Sequence, residues 1–432
     1  STATRSRRTA TFRAMTTAPT RANSTVMNET CFCDVAIVGG GMTGLALACA
    51  LGSDEVNTVV VDRVPADAPP SRNADPRVTA VALGSARFLG AVGAFDAMAA
   101  EGQPILDIEV REQGSPFAVH YDHAEVGDEP MGWIVENAVI RAALLERVRA
   151  LPAVRLWMPA THTGLTRDGD GVTLELADGR RLRAGLLVAA DGKFSKLRER
   201  VGIRASYHDY RQQGIVATLA HSRPHGGLAS EHFFPDGPFA VLPMPGDRSS
   251  IVWALERELA AEVAQLPASA FVAEVTDRVG ERLGKVELAS PVATFPLVLA
   301  TVDRFTAPRT ALVGDAAHGI HPIAGQGWNL ALRDVAALAE LVAERTALGL
   351  DPGGTEVLTA YERWRGTDTA TLVAITDGIN RLFANDLTPL RFARNLGFAA
   401  VDRLPFAKRL FMRHAMGVVG DLPRRMRPEA VN

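Results

Sequence analysis

The stretch VAIVGGGMTGLALACAL, residues 35–51, constrains this chain more than any other. Gly39, Gly41 and Gly44 stand at the G-x-G-x-x-G spacing, after one apolar run and at the start of another. In a strand–turn–helix unit the first glycine permits the tight turn. The second lets the backbone approach a pyrophosphate, and the third lets helix and strand pack closely. The helix N-terminus that opens there offers free N–H groups and the positive end of its dipole to phosphate. The pattern predicts a strand at Val35–Val38, a helix at about 43–51 and a second strand at 58–61. Both strands are apolar without alternation, as parallel strands covered on both faces are. Asp62 ends the second strand, where an acid accepts hydrogen bonds from an adenosine ribose. A glycine-rich turn without a ligand is the competing reading, and the strand, helix and acid around the glycines weigh against it.

Two further stretches repeat the logic of an apolar strand that ends in chemistry. In AADGKFSKLRERVGI (189–203), Asp191 and Gly192 close a strand and Ser195 and Arg198 follow on a turn or helix start. Such an acid holds a ribityl or pyrophosphate region or a nicotinamide cosubstrate, although alone it reads equally as an Asx-capped turn. In GDAAHGIHPIAGQGWNLALRD (314–334), Asp315 follows a strand and a glycine-rich loop from Pro322 to Asn329 opens a helix. A helix N-terminus placed there stabilises developing negative charge. His318 and His321 invite a metal or general-base reading, but no acid stands at a ligand spacing, and no metal is expected.

The remaining pattern is coarser. Residues 75–100 read as helix with Val78, Val81, Leu89 and Val92 inward, and 105–121 as a half-exposed strand pair. A helix is expected over 131–148 with Asn137 near its N-cap. Strands follow over 154–190, with turns at 168–171 and 178–179. Residues 214–255 are strand-rich, a helix is expected at about 256–282, and 355–427 is helical and increasingly basic.

A net charge of −3 gives no global reason to expect nucleic-acid binding. Cys31, Cys33 and Cys49 make neither a disulfide framework nor a zinc site, and read as reduced thiols. No window approaches the ~18–20 unbroken apolar residues of a membrane-spanning helix, so membrane contact is expected to be peripheral. Residues 1–33 are rich in Ser, Thr, Ala and Arg with no acid before Glu29. They resemble a mitochondrial-type presequence, or are sequence upstream of a start at Met27, and disorder is expected up to about Cys31.

The order and spacing of the three motifs resemble the group A flavoprotein monooxygenases, the para-hydroxybenzoate hydroxylase family. The third motif, with FPDGPFAVLPM upstream and YERWRGTDTATLVAITDGINRLFAND (361–386) downstream, looks like the ubiquinone-biosynthesis hydroxylases of UbiH/UbiF type. The resemblance covers about 34–427 and implies an α/β fold: a Rossmann-like FAD-binding domain with an inserted antiparallel-sheet substrate domain and a helical C-terminal region. The expected division is a tail at 1–33; FAD-binding segments at 34–104, 132–205 and 296–345; substrate segments at 105–131 and 206–295; and a helical region at 346–432.

The resemblance implies FAD contacts from Gly39, Gly41, Gly44, Asp62, Asp191, Gly192 and Asp315. The loop Pro322, Gly325, Gln326, Gly327 to Asn329 would lie against the isoalloxazine, and Arg77 and Asn137 sit where family members touch FAD. For those last two, a surface salt bridge and an N-cap are equally good accounts. NADPH or NADH would reduce the flavin, O2 would add at its C4a, and the distal oxygen would pass to a prenylated phenol. No second glycine fingerprint follows a strand, so nicotinamide binding would be transient. Phe233, Phe234, Phe239, Leu242, Met244 and Trp253 could line an apolar pocket, although most of them individually fit sheet core. The basic, apolar tail at 390–426 suits either an anionic membrane surface or a packed helical region. The expected place is the cytoplasmic side of a bacterial inner membrane beside other quinone-biosynthesis enzymes, or else the matrix side of a mitochondrial one. Three rivals share the fold: a halogenase, an isoprenoid reductase and a non-catalytic scaffold. No W-x-W-x-I-P stretch separates the first two motifs, which argues against the first, and the intact glycines and acids argue against the last.

Overall fold

The computed structural model describes residues 30–68, 75–116, 118–319, 325–383 and 404–428. The chain opens with β1 (Thr30–Val38), α1 (Met42–Ser53), β2 (Thr58–Val61), β3 (Val78–Ala82), α2 (Leu83–Ala91), α3 (Phe95–Ala100) and β4 (Gln103–Ile105). It continues through β5 (Asp107–Glu112), β6 (Ala118–Asp122), β7 (Gly132–Glu136), α4 (Asn137–Arg149), β8 (Val154–Trp157), β9 (His162–Arg167), β10 (Val172–Leu176), β11 (Arg181–Ala189) and α5 (Lys196–Arg200). Next come β12 (Ala205–His221), β13 (Leu228–Phe234), β14 (Gly237–Met244), β15 (Arg248–Glu256), α6 (Arg257–Ala264), α7 (Ala268–Val279), β16 (Val286–Leu288) and β17 (Ala293–Val302). The described chain ends with β18 (Thr306–Ala307), β19 (Thr310–Leu312), β20 (His318–Gly319), α8 (Gln326–Ala347), α9 (Thr355–Phe383) and α10 (Pro405–Ala415).

The apolar runs that end in the three motifs are neighbours in one sheet. Its parallel core runs β19-β11-β1-β2-β8. Val35, Ile37, Val59, Leu186 and Leu312 are fully buried there, because α1, α8 and their neighbours cover the sheet. β1 starts at Thr30 rather than Val35, pairing Thr30 with Arg181, so residues 30–33 belong to the sheet and not to the tail.

The chain leaves this unit twice to build a second sheet, ordered β20-β17-β12-β15-β14-β13-β5-β6. β12 begins at Ala205, ahead of the expected 214, and β17 carries the sheet past 295 to Val302. One face packs on α6 and α7, with Phe239, Trp253 and Leu255 against Phe271, Val275 and Val279. Two helices stand where one was expected at 256–282, and Pro267 caps the second.

Two expected helices begin instead as strands. Residues 78–82 and 132–136 form β3 and β7, which pair with each other, Val78 opposite Glu136 and Val81 opposite Trp133. Val78 and Val81 have the i, i+3 spacing of a helix face, but VTAVA and GWIVE carry β-branched and aromatic residues that suit a pleated surface. Non-local pairing decides between the two. α2 and α4 start directly after these strands, so Asn137 is the first helical residue and Glu136 holds the cap position.

Candidate active site

The glycine turn is built by contacts that no other residue allows. Gly39 has φ +117°, and a Cβ on it would collide with the Ala190 carbonyl oxygen of the middle motif. A Cβ on Gly44 would collide with the Gly39 carbonyl, so α1 lies directly on its own turn. A Cβ on Gly41 would meet nothing, because Gly41 borders open space. Gly41 caps α1 without a side-chain hydrogen bond, and no acid lies in the first turn. The free N–H groups there have no side-chain acceptor among the described residues, which is the condition of an anion site. Asp62 lies beside this turn: Oδ2 accepts from Gly40 N at 2.5 Å and Oδ1 from Val64 N at 2.7 Å.

In the middle motif, Asp191 closes the turn into α5. It accepts from the Ser195 hydroxyl and from Leu197 N, while Ser195 Oγ accepts from Arg198 N at 2.9 Å. That is the capping role, whereas Gly192 and Lys193 border the open space. Arg198, buried, donates to the carbonyls of Lys193 (3.1 Å) and Ala316 (2.9 Å) and to the Tyr207 hydroxyl. It therefore pins the middle motif to the third one, a role that sequence spacing does not reveal.

The third motif presents Asp315 at the surface of the same space, with no side-chain hydrogen bond among the described residues. Gly325 caps α8 with φ +62°, again with no side-chain cap and no acid in the first turn. Gly325, Gln326, Gly327 and Trp328 border the space; Pro322 and His321 lie outside the described residues. Asn329 also borders it, but its carboxamide is held by the backbone of β3: Nδ2 donates to Ala80 O at 2.8 Å and Oδ1 accepts from Ala82 N at 2.9 Å. His318 is likewise bound, donating Nε2–H to Asp334 Oδ2 at 2.6 Å. Asp334 also accepts from Gly314 N (2.9 Å) and Arg365 Nε (2.7 Å). Burial pushes the Asp334 carboxyl up, but the charges of His318 and Arg365 outweigh it and hold the pKa below the usual value. This buried cluster ties α8 and α9 to the turn that carries Asp315.

Arg77 and Asn137 border the space as well. Arg77 is paired with Asp75 at 2.7 Å and lies over the Phe295 ring, 4.4 Å from its centroid. Asn137 Oδ1 accepts from the Thr79 hydroxyl at 2.7 Å. Gly39, Gly44, Asp62 and Asp191 thus shape the walls, while Gly41, Arg77, Asn137, Gly192, Asp315 and the start of α8 face inward.

All of this opens into one cavity of about 580 Å³. Its other wall is the free face of the antiparallel sheet, with Val110, Val216, Ala240, Leu242, Val252 and Ala254 among the lining residues. Of the six apolar residues expected to line a pocket, Leu242 does so. Phe239 and Trp253 point to the opposite face, into the core under α6 and α7, with Phe234 packed against it. Met244 is buried among Leu83, Ile105 and Met131, and Phe233 is buried without lining the cavity. Strand alternation separates the two sets but does not say which faces the helices.

Within this apolar wall stands one acid the sequence reading did not single out, Glu231 of β13. Burial pushes its carboxyl from the usual 4.5 up to about 7. The signal was present as an acid between Ala229 and Phe233 on one strand face.

The sequence profile of the family described as FAD binding domain matches residues 32–373. The ubiquinone hydroxylase UbiL of Rhodospirillum rubrum is 48% identical over 91% of this chain and 92% of its own length. The 3-demethoxyubiquinol 3-hydroxylase of Escherichia coli is 34% identical over 89% of this chain and 98% of its own. Among solved structures, PqsL of P. aeruginosa in complex with 2-aminobenzoylacetate has the same fold, with a TM-score of 0.73 and 24% identity, covering 85% of this chain and 100% of that one.

Proposed function

Because this chain belongs to the FAD binding domain family, we propose that it is an FAD-dependent hydroxylase of the aromatic ring of a prenylated phenol in ubiquinone biosynthesis, using NAD(P)H and O2. The observation that carries the reading is one cavity bordered by residues of the three glycine- and acid-bearing motifs on one side and by an apolar sheet face on the other. Two of the relatives, UbiL of Rhodospirillum rubrum and the Escherichia coli 3-demethoxyubiquinol 3-hydroxylase, are named for ubiquinone hydroxylation.

The residues present fit FAD. Two helix N-termini without side-chain caps open into the cavity, Gly41 and Gly192 leave the volume of a Cβ empty, and the Asp315 carboxylate, which borders the cavity, has no hydrogen bond among the described residues. The α1 terminus and Gly41 would hold the pyrophosphate, Asp62 the adenosine ribose, and Asp315 the ribityl chain. Gly325, Gln326 and Gly327 at the start of α8 would lie by the isoalloxazine, where the helix dipole favours negative charge. Arg77 and Asn137 would flank it, and Asp191 and Asn329 would position their neighbours. Bound FAD supplies the redox and oxygen-activating chemistry. The chain's part is to orient the phenol against the sheet and to keep the wall dry, since water in the site would divert reducing equivalents to peroxide.

A peripheral membrane contact belongs to the same reading. No helix among the described residues is long and apolar enough to cross a membrane. α10 and the residue that caps it turn Met412 and Met416 into the cavity-side core, and Ala415 stands in the cavity wall. Its outer side shows Phe406 and Phe411, 80% and 54% exposed, beside the exposed Arg409 and Arg413. Such a helix suits the surface of an anionic bilayer that stores a prenylated substrate. The cytoplasmic face of a bacterial inner membrane is the expected place, the mitochondrial matrix face the other. Co-sedimentation with phosphatidylglycerol vesicles, lost on replacing Phe406 and Phe411 with Ser, tests it.

The deciding experiment is the visible spectrum of the purified protein, followed by NADPH and NADH oxidation with and without a prenylated phenol. A flavin spectrum, substrate-stimulated oxidation and an oxygenated product establish the activity. A protein that cannot be loaded with FAD ends the reading.

A further inference from the structure

Glu231 lies in a row of side chains that crosses five strands on the cavity face. The register places it opposite Val110 of β5 and Ala240 of β14; Ala240 faces Val252 of β15, and Val252 faces Val216 of β12. All five border the cavity, and the other four are apolar. No hydrogen bond or ion pair to the Glu231 carboxylate exists among the described residues, and its residual exposed surface faces the cavity. Arg77, Lys193 and Asp315 are the other charged groups that border the cavity, and Glu112 shares the β5 face with Val110. Arg77 is paired with Asp75, and Lys193 donates to Val298 O at 3.0 Å. Burial alone moves the Glu231 pKa.

A structural role leaves this arrangement unexplained. A lone carboxyl in an apolar row costs folding free energy and gives no packing in return, where a Leu or Gln would do better. What it gives is an acceptor on the cavity that a phenol would fill. We propose that Glu231 is the base that accepts the proton of the substrate's ring hydroxyl. The inference rests on the hydroxylase reading and names the group that reading lacks. The step is a proton transfer: the phenolic O–H bond breaks, the proton moves to a carboxylate oxygen of Glu231, and the electron pair stays on the ring oxygen. The ring, now a phenolate, is richer in electrons at its ortho and para carbons, as electrophilic oxygen transfer needs. The proton leaves to water when the product departs.

Magnitudes favour the assignment. A phenol titrates near ~10. An ordinary carboxylate would leave the transfer uphill by about six decades, and one poised near ~7 by about three, within reach of a positioned base. The apolar row offers the acceptor no competing donor among the described residues.

The test has two arms, with flavin content as the check on folding. In the first, kcat for hydroxylation by the wild-type holoenzyme is followed from pH 5.5 to 9 with a prenylated phenol. The expected profile rises through an acid limb, and Glu231→Gln removes the limb and lowers kcat about 10²–10³-fold while binding FAD normally; Glu231→Asp recovers part of the rate. An unchanged limb and rate in Glu231→Gln overturn the proposal. In the second arm, 4-nitrophenol, whose anion absorbs visible light, is titrated into the flavin-loaded protein without reductant. Glu231→Gln should shift the pH at which the bound probe ionises, and no shift overturns the proposal. If wild type hydroxylates no phenol at all, the function reading fails by the first arm, while the second still reads the carboxyl directly.

Discussion

Asp334 lies behind the α8 wall of the cavity and Glu231 stands in its sheet wall, and the two carboxyls are shifted in opposite directions. Asp334 is fully buried but meets His318, Arg365 and the Gly314 amide, and its pKa falls. Glu231 has apolar residues opposite it on both neighbouring strands and no hydrogen-bond or ion-pair partner among the described residues, and its pKa rises to about 7. Desolvation disfavours the charged form in both cases; partners decide the sign. The lesson is a division of labour. Behind the wall that would hold the cofactor, Asp334 is fixed in a network with His318 and Arg365 while Asp315 faces the cavity; in the wall that would hold the substrate, Glu231 has no partner among the described residues and stands where a ligand can reach it.

The hardest blow to that comparison would come from Asp334→Ala. Removing it leaves Arg365 and His318 buried without their shared acceptor, and breaking a buried ionic network costs about 3–5 kcal/mol. Chemical denaturation of the apoprotein should show a loss of that size. A loss under ~1 kcal/mol would mean that the network is incidental to the fold and that the two walls do not differ as described.

Asp315→Ala separates holding the fold from holding a ligand. Asp315 has no side-chain hydrogen bond among the described residues, so its removal should leave apoprotein stability nearly unchanged. FAD affinity should fall by roughly 10–100-fold, the worth of a hydrogen bond to a charged acceptor, ~1.5–3 kcal/mol. Equilibrium dialysis against FAD reads it, and full flavin retention would remove Asp315 from the ribityl site.

Glu231 should also be visible in stability against pH. Its folded pKa is about 7 and its usual value 4.5, so between those values the folded state binds the extra proton and the unfolded state does not. Stability from this group is therefore greatest below about 4.5, falls as pH rises, and levels off above about 7. The expected fall is on the order of 1–3 kcal/mol. Glu231→Gln should flatten the slope and raise stability at pH 8. An equal slope in wild type and variant would show the carboxyl to be solvated after all.

How much of this was legible in the sequence depends on whether the determinant is local. Gly39, Gly41 and Gly44 could be read because a tight turn, an open approach and a close helix each demand a missing side chain within six residues. The alternation of β13, β14 and β15 was legible too, but not which face met α6 and α7. Phe239 and Trp253 therefore went to the core and Ala240 and Val252 to the cavity. β3 and β7 read locally as helix because the pairing that makes them strands, Val81 with Trp133, spans half a hundred residues of chain. Asp334 and Arg365 lie on separate helices, and only their packing brings the charges together. Asp191 and Asn329 stood in the right motifs, yet their hydrogen bonds go to the protein's own backbone and side chains.

Arg77 is the case between the extremes, and the smallest effect is expected there. It borders the cavity, as Glu231 does, but it is paired, as Asp334 is, with Asp75. The Asp75 hydrogen bond raises its pKa against the opposing effect of burial, with the Asp315 charge a lesser contribution. Its side chain is about half exposed, so the pair itself contributes well under ~1 kcal/mol to stability. Arg77→Lys keeps the charge but loses the two-pronged contact with Asp75 and the guanidinium's place over the Phe295 ring. Thermal stability should hold within a degree or two, while FAD affinity drops about two- to tenfold, the range of ~0.4–1.4 kcal/mol. A change in FAD affinity without one in stability would put Arg77 with the ligand-facing charges. No change in either would leave it a surface ion pair at the rim, and the contrast between the walls would then rest on Asp334 and Glu231 alone.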